Sequence, residues 1–179
     1  MSPKRHPSLE SLSYDHHDFL AKVHQINRII EGEDAKSIRE AIADFLEFWK
    51  FDGEPHIREE EEILYPLYIQ HVPNAKHEIA SLQTDHNWFR EKFEELTDLP
   101  PHENCVPLLK SISNYIISHI RHEEKIFYDR IQELLSEDLL LQLGKDLLTF
   151  RSVNRRMINP APENSHLPDT DLLNRDLER

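Results

Sequence analysis

Two histidine–glutamate pairs, His56 with Glu60 and His119 with Glu123, are the side chains in this sequence best placed to do chemistry. They sit in near-copies, His56-Ile57-Arg58-Glu59-Glu60-Glu61 and His119-Ile120-Arg121-His122-Glu123-Glu124. The likeness runs on, with Ile63 and Tyr65 matched by Ile126 and Tyr128. On a helix, residues i and i+4 share a face with Cβ atoms about 5–6 Å apart, close enough to hold one metal ion. A single pair of this kind is usually a surface pair. Two in the same relation, each inside a long amphipathic pattern, point to a shared centre.

The elements that must position these residues read as helices. Leu9, Leu12, His16, Phe19, Val23, Ile26 and Ile30 alternate three- and four-residue steps, which predicts a helix with one buried stripe and His16 in its middle. Gly32 is expected to stop it and Asp34 to cap the next. The second helix carries Ile38, Ile42, Phe45, Trp49, Asp52, His56, Glu60, Ile63 and Leu67. Pro55 predicts a kink or local bulge there, and Pro66 with His71-Val72-Pro73-Asn74 is expected to close it. The third repeats the first with Ile79, Leu82, His86, Phe89, Phe93 and Leu96. Asp85-His86 echoes Asp15-His16, and Phe89 stands where Phe19 does. After Pro100-Pro101 a fourth helix is expected from about His102 to Leu135, with Leu108, Ile112, Ile116, His119, Glu123 and Ile126 on its stripe. Ser136 can cap a leucine-rich fifth segment from Glu137 to about Met157.

The expected fold is all-α: an up-down-up-down four-helix bundle over residues 8–135, with an accessory C-terminal helix over 136–158. Residues 1–7 and 159–179 read as a flexible N-terminus and a flexible tail. Only three glycines in 179 residues, and few β-branched clusters, argue against a sheet protein. The net charge of −13 disfavours nucleic acid and anionic membranes as partners. No apolar run is long enough to span a membrane, and Met1 to Glu10 lacks a signal-peptide core. The single cysteine, Cys105, excludes an internal disulfide and Cys-rich metal sites. These features suit a cytoplasmic protein.

Under this arrangement His16, His56, Glu60, His86, His119 and Glu123 converge. A lone histidine on an apolar face is ordinarily a satisfied core residue. Four of them on four stripes, with two carboxylates beside them, are not, because burying those carboxylates without a cation costs several kcal/mol each. Four imidazoles and two carboxylates exceed one closed tetrahedral zinc site and suit two octahedral ions bridged by the carboxylates. Within the four helices there is no Glu-x-x-His of the ferritin-like type and no His-Glu-x-x-His.

With its H…HxxxE…H…HxxxE pattern over about residues 8–135, the sequence resembles the hemerythrin-like family, the HHE cation-binding domain. The resemblance implies a four-helix bundle around an oxo/hydroxo-bridged non-haem di-iron centre. Carried over by position, Glu60 and Glu123 bridge the irons, His16 and His56 complete one, and His86 and His119 the other. Zinc or manganese could substitute. Oxygen-carrying members have a further histidine one turn after the third-helix ligand, where this chain has Arg90. That leaves one iron an imidazole short, with an open position that suits O₂, peroxide or NO chemistry better than oxygen storage. Arg90 either points inward toward an anionic ligand or lies on the rim. Glu59, Glu61, His122 and Glu124 are candidate replacement ligands, each about 100° off the stripe.

The remaining polar residues have plainer readings. Tyr115 is expected to pack, and Asp15 and Asp85 to orient imidazoles, although neither shares a face with its adjacent histidine. The rest of the Glu59–Glu62 run reads as a solvated face. The resemblance also admits an iron- or oxygen-responsive regulatory module and an iron donor of the iron–sulfur repair type. Repair proteins usually carry a Cys-containing N-terminal segment that this sequence lacks. The residues themselves do not separate binding from turnover.

Overall fold

The computed structural model describes residues 4–32, 35–99 and 105–154, which are helical apart from short connections and contain no strand. The expected cap Asp34, the start of the fourth helix at His102 and the tail 159–179 lie outside the described residues.

Helix α1 (Pro7–Glu31) begins with Pro7 in its first turn, where a missing N–H costs nothing. The His6 side chain accepts from Ser8 N, and Gly32 follows the last turn. Arg5 and His6, in the stretch read as a lead-in, make defined contacts. Arg5 pairs with Glu124 and Asp129, and His6 N donates to Gln132.

Helix α2 is one run with two wider turns in it. Ala35–Phe48 leads to a π turn at Trp49–Gly53, then Glu54–Glu59, a second π turn at Glu60–Leu64, and Tyr65–His71. Each π turn ends two residues before a proline, Pro55 or Pro66. A proline ring clashes with the carbonyl four residues back, and a wider turn relieves that crowding. The bulge expected at Pro55 is therefore present. Pro66 does not close the helix, which runs on to His71.

Asn74, in the left-handed conformation at φ 63°, leads into α3 (Ala75–Asp98). Asparagine tolerates that geometry better than most residues. Helix α4 runs from Cys105–His122 through a third π turn, Glu123–Phe127, to Tyr128–Leu134. No proline follows this one. Ser136 then caps α5 (Glu137–Val153), its hydroxyl accepting from Leu139 N.

Neighbours in the chain pack in a ring, α1 on α2, α2 on α3, α3 on α4, and α4 back on α1. Helix α5 lies against α1 and the middle of α2. It buries Leu140, Leu143 and Leu147, and Gly144 lets Ser8 approach so closely that a Cβ there would meet it at 3.3 Å. Two apolar clusters result, one around Leu12, Tyr65, Phe127 and Leu143 and the other around Phe19, Phe45, Phe93 and Ile116. A layer of buried polar side chains separates them. No helix among the described residues is long and apolar enough to cross a membrane.

Candidate metal centre

The middle of the polar layer holds the six residues singled out by their spacing. His16, His56, Glu60, His86, His119 and Glu123 are all buried, with both glutamates fully excluded from solvent. They form two overlapping groups, His16–His56–Glu60–Glu123 and Glu60–His86–His119–Glu123, each with ligand atoms within 4.8 Å of one another.

The spacing of the imidazoles fits metal ligation. His16 and His56 approach through Nε2 at 3.1 Å, and His86 and His119 through Nε2 at 3.2 Å. Two nitrogens bound at right angles to one ion, each about 2.1 Å away, stand about 3.0 Å apart. Glu123 Oε2 lies 3.1 Å from His16 Nε2 and 3.3 Å from His119 Nε2, so it faces both pairs. Glu60 Oε2 does the same, at 3.8 Å from His56 and 3.4 Å from His86.

Glu60 Oε2 and both oxygens of Glu123 have no hydrogen-bond partner. Buried carboxylate oxygens are costly unless paired or bound to metal. Orphaned acceptors aimed between two pairs of imidazole nitrogens make a donor set that could hold a cation.

Every histidine is held from behind. His16 Nδ1 bonds Glu124 Oε1 at 2.7 Å, His56 Nδ1 bonds Asp15 Oδ2 at 3.1 Å, His86 Nδ1 bonds Glu61 Oε1 at 3.0 Å, and His119 Nδ1 bonds Asp85 Oδ2 at 3.1 Å. A carboxylate on Nδ1 fixes the ring so that Nε2 points inward. Asp15 and Asp85 thus orient histidines, each on the neighbouring helix rather than its own. Glu61 and Glu124 serve as the same kind of support. Glu59 is also fully buried, gripped by Arg151, which leaves only Glu62 of that run on an exposed face.

Arg90 lies at the rim. Its guanidinium bonds both oxygens of Glu61, at 3.0 and 2.9 Å, and its Nε reaches Glu54 at 3.1 Å. Tyr115 packs on Trp88 and Phe89 but also donates to Asp85 Oδ1 at 2.6 Å, so its hydroxyl has a role that packing alone would not give it.

Sequence spacing missed two tyrosines. Tyr65 and Tyr128 are fully buried, and their rings stack on His86 and His16. Tyr128 OH donates to Glu60 Oε1 at 2.7 Å, and Tyr65 OH lies 3.4 Å from His86 Nε2. Each stands nine residues after a ligand histidine, which at about 100° per residue puts it half a turn off the stripe. The π turns beginning at Glu60 and Glu123 insert an extra residue and swing both tyrosines inward. The same rotation turns Ile126 outward to 47% exposure, contrary to the expected stripe, and puts Phe127 in its place.

The electrostatics call for positive charge. Burial would lower the His16 pKa, yet the carboxylates of Glu123 and Glu124, 3.1 and 2.7 Å from its ring nitrogens, push it up to about 10. In the same way burial would lower His86, but the carboxylates of Glu60 and Glu61, 3.4 and 3.0 Å from its ring nitrogens, outweigh it and raise the pKa to about 9. Burial would raise Glu61 and Glu124, but hydrogen bonds from His86 and His16 hold both down at about 2. Glu60 and Glu123, at the middle of this cluster, make no ion pair with Arg5, Arg90 or Arg151, so among the described residues the imidazoles bring the positive charge next to them.

A fold of packed helices around buried His/Glu clusters defines a cation-binding helical protein. The family model described as the hemerythrin HHE cation-binding domain matches residues 8–131. This chain belongs to that family. Comparison with curated proteins and with solved structures gave no significant match.

Proposed function

We propose that this chain is a non-haem di-iron protein that binds or reacts with O₂, peroxide or NO in the middle of an up-down-up-down bundle. His16 and His56 would hold one iron and His86 and His119 the other, with Glu60 and Glu123 bridging them. The observation that carries this reading is the pair of solvent-excluded carboxylates with orphaned oxygens between two close imidazole pairs. The same donors would accept zinc or manganese, but zinc has no redox chemistry, and binding of NO together with O₂ and peroxide favours iron.

Each ion would have four protein donors, leaving about two positions of an octahedral shell for other ligands. A cavity of about 20 Å³ adjoins the centre, lined by His16, His56 and His119 on one side and by Phe19, Trp49, Phe89 and Ile116 among the apolar residues on the other. About 10–15 Å³ is enough for one water, so the space suits a molecule of two or three atoms. Its apolar walls favour a weakly solvated ligand. Iron, when bound, would supply the electrons and the binding affinity. The chain's residues fix the imidazoles, exclude water and set the ligand's size.

The test is metal analysis and the visible spectrum of aerobically purified protein beside His119→Ala. About two irons per chain, with near-ultraviolet bands lost in the variant, are expected. No iron, or unchanged metal in the variant, overturns the reading.

A further inference from the structure

The four carboxylates behind the histidines are themselves anchored, and by different parts of the chain. Glu61, behind His86, is held by Arg90, and Asp85, behind His119, by Tyr115. Both anchors belong to the bundle. Glu124, behind His16, is held by Arg5, whose Nη2 lies 2.9 Å from Glu124 Oε2 and 2.6 Å from the Glu124 carbonyl oxygen. Asp15, behind His56, is held by Arg151 of α5, whose Nη2 lies 2.7 Å from the same Oδ2 that meets His56 Nδ1. Arg151 is only 7% exposed and also binds Glu59 Oε2 through Nε at 2.8 Å and Nη2 at 2.6 Å. Arg5 and Arg151 both lie outside residues 8–131, the span of the family domain.

We infer that Arg5 and Arg151 are positioning residues through which the segments flanking the domain control one metal position, that of His16 and His56, and leave the other to the bundle. This rests on the di-iron reading above and adds regulation to it. The chemistry is direct. A carboxylate that loses its guanidinium partner is free to rotate or to take up water, and the imidazole it holds loses its fixed tautomer and direction. Loss of such an outer partner weakens metal binding by roughly 10–100-fold. Displacing α5 removes Arg151 from Asp15 and Glu59 together, so anything that detaches α5 loosens the ion at His56 before the ion at His86 and His119. The pair is then asymmetric, one ion answering to the segments that flank the domain and one not.

The experiment loads full-length wild type, Arg151→Met and Arg90→Met with ferrous iron, then follows release to a chelator and the resting paramagnetic resonance signal. For Arg151→Met the expected result is biphasic release, roughly 10–100-fold faster for one ion only. Once the iron left after the fast phase is oxidised by O₂ from air, a mononuclear ferric signal should appear, because one ion of a coupled pair has gone. Arg90→Met should loosen the other position, so that Arg151→Met and Arg90→Met together lose both. Arg5→Met makes the same test from a separate segment if Arg151→Met does not fold, and Arg151→Lys should restore slow release in part. Wild type that takes up no iron refutes the di-iron reading itself. Wild type that holds two ions, beside variants that release both together or no faster, overturns this inference alone.

Discussion

The two apolar clusters flanking the polar layer, one rich in leucine and tyrosine and the other in isoleucine and phenylalanine, differ in how they meet the centre. On one side aromatic rings stack face to face on imidazoles, Tyr128 on His16 at an interplanar angle of 7° and Tyr65 on His86 at 15°. On the other side they meet edge-on, Phe19 against His56 at 61° and Phe89 against His119 at 76°. Stacked tyrosines fill the space, and Tyr128 brings a hydroxyl to the Glu60 carboxylate. Edge-on phenylalanines bring no polar atom and leave the cavity of about 20 Å³. One side therefore fixes the ligands, while the other leaves room beside them.

The largest effect expected from this contrast is electrostatic. His16 and His86, the imidazoles stacked on tyrosines, have folded pKa values raised to about 10 and about 9 from an ordinary 6.5. Their contribution to the metal-free protein is complete below about pH 6.5 and disappears as pH rises through 9 to 10, a loss of several kcal/mol. Glu61 and Glu124, lowered to about 2, act in the opposite direction, losing their contribution as pH falls from about 4.5 through 2. Urea unfolding of chelator-treated protein should thus weaken steadily from pH 7 to 10, while metal-loaded protein does not. A flat profile for the metal-free form would remove the charge argument.

Packing effects come next. Phe127 is fully buried and touches Tyr65, Tyr68 and Tyr128. Phe127→Ala should cost about 3–5 kcal/mol, against less than about 0.5 kcal/mol for Phe51→Ala at a 58% exposed position. Tyr128→Phe leaves Glu60 Oε1 without its donor and should cost about 1.5–3 kcal/mol. Tyr65→Phe loses only the long contact to His86 and should cost less. Equal losses for the two tyrosines would contradict the geometry. On the open side, Ile116→Phe should fill the cavity, costing about 1–3 kcal/mol by overpacking. It should also cut nitric oxide affinity of the iron-loaded protein roughly tenfold or more, about 1.4 kcal/mol, with metal content unchanged.

The legible part of this centre was the part that obeys one helical period. His16, His56, Glu60, His86, His119 and Glu123 fall on stripes of three- and four-residue steps, so spacing alone found them. Asp15, Glu61, Asp85 and Glu124 sit one residue from a ligand, about 100° around the helix. That angle excludes the stripe, but it also aims each carboxylate at the next helix, which only the packing reveals. Arg5 and Arg151 reach carboxylates more than a hundred residues away along the chain, a relation no local pattern carries. Tyr65 and Tyr128 were hidden for a third reason, since the π turns change the period between ligand and tyrosine.

A change at Gly53 tests how the open side is kept open. Gly53 ends the π turn that holds Trp49, and a Cβ there would meet Trp49 Cε3 at 2.6 Å and Phe19 Cζ at 3.3 Å. Both rings line the cavity. Trp49 is stacked on Phe93 at 4.1 Å and 6°, so it cannot simply swing away from the new methyl. Alanine in a helix gains about 0.5–1 kcal/mol over glycine, while the clash costs about 1–3 kcal/mol. Gly53→Ala should therefore be less stable by only about 1 kcal/mol, because the two terms oppose. The telling readouts are Trp49 fluorescence, isolated by Trp88→Phe, and nitric oxide affinity. A displaced Trp49 with affinity reduced a few-fold at constant metal content means the ring is a wall of the ligand space. A displaced ring with unchanged affinity means the ligand sits elsewhere, and the contrast between the two sides would then concern packing alone.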